Sequence, residues 1–237
     1  MKKNLFVIVV LITHASLAQN VEMLSKSDFK PDRKDKDFAF IEQTIDSSRL
    51  AFVASFKAVT DNKKNSISNL FFEIKKEAKK LGANSFRLRS FNRDNSSSLT
   101  FILDTYYAND SLLAINNESH FRNKVFVFCD ERITENSYSL KVDNEKKEFK
   151  SGTYLEYELK EGQELKLSKG GFTGATMWIK YKENRQPVFL TITSFGLGGD
   201  GYVPPGGGVG LTFNTGRINS INNDLGQLLI NFLTRAE

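Results

Sequence analysis

Three sets of residues have types and spacings that could do chemistry. Gly196-Leu-Gly198-Gly-Asp-Gly201 follows the strand-like run "VFLTITSF" and spells G-x-G-x-x-G, a pattern whose backbone N–H groups can cradle a pyrophosphate. Asp104, Glu156 and Glu158 are carboxylates of the kind a hydrolase pairs as acid and base, with Glu156 and Glu158 on one face of "TYLEYELK". Cys129 and His120 supply one thiol and one imidazole, the pairing by which a base activates a nucleophile.

Each set has a plainer reading. A dinucleotide loop needs its third glycine to open a helix, because the helix amino terminus offers free N–H groups to the phosphates. Gly201 instead runs into "YVPPGGGVG", where two prolines and three glycines forbid a helix. No nucleotide is therefore expected. "GGDG" occurs once, so a calcium-binding glycine repeat is set aside as well. Pro205-Gly206 suits a type II turn, and residues 196–210 read as a hairpin tip or long connector whose side chains to test are Asp200 and Tyr202. "KVFVFCD" puts Cys129 on the strand face of Val125 and Val127, which reads as a small buried apolar residue. Glu156 and Glu158 are explained by a solvated strand face of mixed charge, and Trp178 by a place in the core. Ser27-Asp-Phe-Lys30, Ser90-Phe-Asn92 and Lys150-Ser-Gly152 stand in the order of the motifs of penicillin-recognising serine enzymes. Pro31 and "DRKDKD" follow Lys30 at once, so no helix is expected to bring Ser27 and Lys30 together.

The chain opens with Lys2 and Lys3, an apolar run from Leu5 to Ile12, and small residues at Ser16 and Ala18, which predicts a secretory signal peptide cut between Ala18 and Gln19. A membrane span needs about 20 apolar residues, and Thr13 and His14 interrupt this run well before that. Cleavage would remove two of 33 basic residues and leave 31 against 28 acidic ones, a net charge of +3. So small a charge, with both signs interspersed, gives no footprint for nucleic acid. A single cysteine excludes an intramolecular disulfide, and with His120 it is too little for a structural zinc site. No cofactor and no metal are expected.

The elements that must position these residues follow from period and punctuation. Residues 19–37 read as a charged tether ending in "DRKDKD". Over 38–108, "FAFIEQTI" and the alternating "RLAFVASFKAV" are separated by the turn signal "DSS". Helical spacing of Ile67, Leu70, Phe71, Ile74, Ala78 and Leu81, with Ser66 as cap and Gly82 as stop, predicts a helix. Two more strands, "SFRLRSF" and "SLTFILDTYY", close a helix-on-sheet unit. Residues 109–124 read as a linker with a short helix or loop capped by Asp110. Seven strand runs with turns between them over 125–195 predict a β-sandwich. Residues 196–237 hold the glycine-rich loop, a strand at "GVGLTFNT" and a helix capped by Ser220 or Asn219, whose face of Ile221, Leu225, Leu228, Leu229 and Phe232 covers the core.

"EAKKLGANSFRL" resembles the A-x-x-L-G-A-N helix-to-strand junction of small envelope domains, such as the outer-membrane sensor of the Rcs relay and the YbjQ-like family; the sensor's cysteines are absent here. "LKVDNEKKEFKSGTYLEYELKEGQELKLS" resembles PEGA-like surface β-sandwich modules, departing from them at the missing Gly after Asp143 and at Glu161-Gly162 in place of Pro-Gly. That resemblance implies binding or scaffolding at the envelope. The resulting expectation is an α+β chain: a small helix-on-sheet domain, then an antiparallel β-sandwich, then a C-terminal amphipathic helix. Its function is expected to be that of an exported, non-catalytic envelope protein, in the periplasm, at the outer-membrane periphery or outside the cell, with an envelope protein or glycan as partner. An envelope carbohydrate or peptide hydrolase using Asp104, Glu156 or Glu158 is the alternative. A membrane-surface binder acting through Leu228, Leu229 and Phe232 is the third reading.

Overall fold

A computed structural model describes residues 20–31, 37–60, 66–94, 98–129, 136–170, 174–194 and 216–236. Residues 1–18, most of "DRKDKD" and the whole of 196–215, with Asp200, Tyr202 and the strand expected at "GVGLTFNT", lie outside them. Among the described residues the chain is mixed α and β and mainly sheet, with a helix near its C-terminus.

The first sheet has the order β1 (Val21–Lys26), β3 (Ala51–Val59), β5 (Ser98–Tyr107), β4 (Ser85–Asp94), β2 (Ala39–Phe40). Helix α1 (Ile67–Lys80) covers one face of it, burying Ile67, Leu70, Phe71, Ile74 and Ala78 of the set its period predicts, while Leu81 is its C-cap and only partly buried. Ser66 caps the helix, its Oγ accepting from the Asn69 amide at 3.2 Å. Two bonds end it, Gly82 N–H to Lys79 C=O and Ala83 N–H to Ala78 C=O, the Schellman pattern. Gly82 is required there twice over: its φ is +95°, and a Cβ would stand 2.2 Å from Pro31 Cγ.

Four expectations are corrected in this half. Val21–Lys26, read as tether, pairs antiparallel with β3 as an edge strand. Only Ala39–Phe40 of "FAFIEQTI" is strand; Ile41 and Ile45 turn away into a small cluster with Leu50, Ala108 and Leu112. In β3 a register shift between Phe52 and Ala54 sends both Val53 and Ala54 into the core and leaves Phe52 against Tyr106, at a ring distance of 5.9 Å. Helix α2 (Asp110–Ser119) is capped by Asn109, not Asp110, through Oδ1 accepting from the Leu112 amide.

Beyond α2 all seven strand runs form: β6 (Lys124–Phe128), β7 (Ser137–Val142), β8 (Glu145–Lys150), β9 (Thr153–Glu158), β10 (Glu164–Lys169), β11 (Ala175–Lys180) and β12 (Val188–Ser194). Asp143 and Asn144 join β7 to β8 with φ of 49° and 73°, the two-residue hairpin turn that needs both residues left-handed. The strands divide between an outer sheet, β11-β10-β7-β8, and a central sheet, β13-β12-β6-β9-β14, whose β13 (Gly216–Ser220) and β14 (Thr234–Arg235) come from the C-terminal segment. One apolar cluster draws Leu140, Leu165, Leu167 and Ile179 from the outer sheet and Val125, Val127, Leu155 and Leu190 from the central one. The pairing is not purely antiparallel: β12 runs parallel to β6, and β14 parallel to β9. β6 returns to its neighbour β12 only after the outer sheet has been built, a long crossover of the kind parallel pairs require.

The central sheet is buried on both faces. Phe126, Phe128 and Phe189 turn the other way, into the cluster that holds α1 and the first sheet, together with Leu225, Leu228, Leu229 and Phe232 of α3 (Asn223–Phe232). This is why "KVFVF" is apolar at successive positions and not at alternate ones. Asn222 stands at the N-cap position of α3 without a side-chain capping bond; Ser220 and Asn219, the expected caps, end β13 instead. Gly226 lies against Phe189, which is itself stacked on Phe126 at 5.1 Å, and a Cβ there would meet Phe189 Cγ at 2.1 Å. Gly226→Ala gains about 1 kcal/mol of helix propensity, against about 1–3 kcal/mol for forcing a ring out of a packed stack. A net loss of up to about 2 kcal/mol is expected in urea unfolding; a raised midpoint would show that the ring has room to move.

Candidate functional site

Asp104 lies in a cross-strand row on the face of the first sheet away from α1, with Ser55 opposite it on β3 and Arg87 opposite it on β4. Arg89 holds both carboxylate oxygens, Nε donating to Oδ2 at 2.7 Å and Nη2 lying 2.6 Å from Oδ1. One hydrogen bond and one close charge contact hold the carboxylate, and Oδ1 has no hydrogen-bond partner among the described residues. Arg87 reaches away from Asp104 and donates through Nη2 to the Glu42 and Ile45 carbonyls, tying the loop after β2 to the sheet. Ser55 Oγ is buried without a hydrogen-bond partner among the described residues, so the row contains no nucleophile bonded to a base. Burial, with the Asp104 charge second, pushes the Tyr106 phenol above its ordinary value.

Glu156 sits on β9 in the central sheet. Lys124 grips it at 2.5 Å and Arg235 at 3.2 Å, and Arg235 is brought there by the parallel pairing of β14 with β9. Its role is that of a latch on the C-terminal strand. Glu158 is exposed at the end of β9; it stands opposite Lys124, whose ammonium goes to Glu156 and lies 4.6 Å from the Phe121 ring centre. Asp104 and the two glutamates thus belong to different sheets and have different partners.

His120 and Cys129 are not brought together. His120 follows α2 and faces Asn116 at 3.3 Å and Glu42 at 3.7 Å, in the network that pins the loop after β2. In that network Asn116 donates to the Phe40 carbonyl at 2.8 Å and accepts from the Glu42 amide at 2.9 Å. Burial pushes the imidazole below its ordinary value; burial also raises the Glu42 carboxyl, against the pull of Arg87. Cys129 lies in the cluster between the outer and central sheets and donates its thiol to the Lys150 carbonyl at 2.8 Å. Ser27 donates to the Phe52 carbonyl at 2.6 Å from an extended segment, and Ser90 and Asn92 lie exposed on β4. Among the described residues no group of three or more His, Cys, Asp or Glu could hold a metal ion.

Trp178 is placed where its residue type does not predict. On β11, Met177 and Ile179 pack on the inner cluster while Trp178 points outward and is 56% exposed. Strand alternation carries this signal: with Ile179 in the core, its neighbour must face the other way. Lys166 stands directly across from Trp178 on β10, and Lys141 and Lys146 stand directly across from each other on β7 and β8. Glu164 and Lys180 pair at 3.3 Å beside the indole, Lys146 pairs with Glu148 at 2.5 Å, and Ser168 meets Thr176 at 3.1 Å.

No family model, curated protein or solved structure matches the chain. Asp104 and Glu156 serve as held ends of ion pairs, and Glu158 lies exposed. Among the described residues, the outward face of the outer sheet presents ammonium groups around one exposed aromatic, Trp178, an arrangement that attracts anions and offers a surface for stacking.

Proposed function

We propose that this is an exported cell-envelope protein that works by binding or scaffolding and not by catalysis, and that its outer and central sheets form a β-sandwich carrying the binding surface. The exposure of Trp178 on a cationic sheet face carries this reading. Trp178 is 56% exposed, so about half of the roughly 1.5–3 kcal/mol that full burial of a large apolar side chain yields is forgone, and ligand contact is what recovers it. The cluster shared by the two sheets supports the sandwich. The held state of Asp104 and Glu156 favours binding over acid–base work. Leu228, Leu229 and Phe232 are 0%, 4% and 3% exposed, so α3 spends on the core the apolar face that a membrane-surface binder would show.

The test is a turnover screen of the purified chain against chromogenic glycosides, esters and peptides. No turnover above the rate of buffer is expected. Turnover that disappears in Asp104→Asn or Glu156→Gln would overturn the proposal.

A further inference from the structure

We propose that the outward face of the β11-β10-β7-β8 sheet is a binding site for an acidic polysaccharide, with Trp178 stacking on a sugar ring and Lys166, Lys141 and Lys146 meeting its carboxylates. This site rests on the binding reading above and gives it a ligand class.

The charge on this face is concentrated and only partly compensated. Strand alternation places Lys141, Lys146, Lys150, Lys166 and Lys180 outward, against Glu148 and Glu164: five cations less two anions, or +3. Lys141 faces Lys146 across the ladder, an opposition of like charges that weakens a sheet. Lys141 and Lys150 have no carboxylate partner among the described residues, and Lys166 reaches only the Asn144 side-chain oxygen, at 3.1 Å. The fold does not consume these charges, and an anion arriving from outside relieves their repulsion.

The shape selects among anions. Small ligands take concave sites that bury most of their surface, whereas the outward face of a sheet is an open, gently twisted surface. Its four strands, about 4.8 Å apart, spread the charges and the indole over roughly 14 Å, which suits an extended chain held by several weak contacts. A protein partner fits less well, because the centres of protein interfaces are depleted in lysine. Single-stranded nucleic acid is held by successive aromatic platforms, and among the described residues Trp178 is the one aromatic on this face, since Tyr138 of β7 turns inward onto the core cluster. A pyranose ring bearing a carboxylate satisfies both halves of the surface: its C–H face meets the electron-rich face of the indole, and its charge meets an ammonium.

The experiment is affinity electrophoresis of the purified full chain in gels containing polygalacturonate, with dextran as the neutral polymer and labelled oligothymidylate as a competing polyanion. Wild type should be retarded by polygalacturonate and not by dextran, and less so as salt rises. Trp178→Ala and the double variant Lys141→Glu/Lys146→Glu should each weaken binding about tenfold or more. Trp178→Tyr should restore part of it. Lys76→Glu, an exposed charge change on α1, should leave it unchanged. Absence of retardation, equal weakening by Lys76→Glu, no effect of Trp178→Ala, or stronger binding of oligothymidylate would each overturn the site. Absence of retardation without turnover leaves the non-catalytic binding reading standing. Cleavage of polygalacturonate that is lost in Asp104→Asn overturns that reading and not this surface.

Discussion

Replacing Phe86 by alanine is expected to lower the free energy of unfolding by about 3–5 kcal/mol. Its ring is fully buried and lies where three elements meet. Phe38 stacks on it at 4.9 Å, Phe40 meets it edge-on at 5.6 Å, and Phe71 of α1 meets it at 5.1 Å. The space left by an alanine cannot close easily, because the surrounding rings are fixed from a helix, a sheet and the short β2, and a site that cannot collapse costs the most. Set against total stabilities of about 5–15 kcal/mol, that loss brings the chain near its threshold. The damage should begin locally. β2 pairs with β4 only through Ala39 and Phe40, supported by amides of Ala39 and Ile41 donating at 2.9 Å to the Asn84 and Phe86 carbonyls. Hydrogen exchange at those two amides should accelerate before the amides of β3 and β5 respond. Uniform acceleration across the sheet, or a loss below 1 kcal/mol in urea unfolding, would show that the Phe86 ring is not where these elements are joined.

How far such a structure can be read from its residues depends on how local the determining interactions are. α1 is fully legible, because a 3.6-residue period and a terminal glycine report burial and stop independently of the rest of the chain. The strands after α2 are legible for the same reason, each bounded by its own turn. β1 is not: "VEMLSK" has no buried face, and backbone pairing alone makes it a strand. β13 is missed likewise, since "GRINS" lacks an apolar run and owes its conformation to β12. Parallel partnering of β6 with β12 is a long-range fact that no window of sequence contains. Of the candidate residues, Asp104 is nameable from its type, whereas Arg89, which neutralises it, becomes its neighbour only through the β4–β5 register. Trp178 was open to prediction from strand parity, and the usual preference of tryptophan for the interior hid it.

Asn84→Ala should cost about 2–6 kcal/mol through hydrogen bonding and not through packing. Asn84 follows the α1 stop directly and is fully buried. Its Nδ2 donates to the Ala108 carbonyl at 2.7 Å, and its Oδ1 accepts from the Ala108 amide at 2.8 Å, so one side chain satisfies both backbone groups of a residue that is itself buried. Truncation orphans the two groups, each at a penalty of about 1–3 kcal/mol. Asn84→Asp separates hydrogen bonding from mere volume. A carboxylate can still accept from the Ala108 amide, but it cannot donate to the carbonyl and would be charged in a dry site; the protonated acid can do both. Burial therefore raises the pKa of the introduced carboxyl in the folded state above the value of about 3.9 it has when unfolded. A raised folded pKa places the stability of this variant at low pH, below the unfolded pKa, with loss as pH rises through the folded value. Measured by urea unfolding relative to wild type, Asn84→Asp should be most impaired near neutrality and recover on acidification, while Asn84→Ala shows a difference that does not change with pH. A gap between Asn84→Asp and wild type that stays constant across that range would mean that Asn84 does not act through the donor to Ala108.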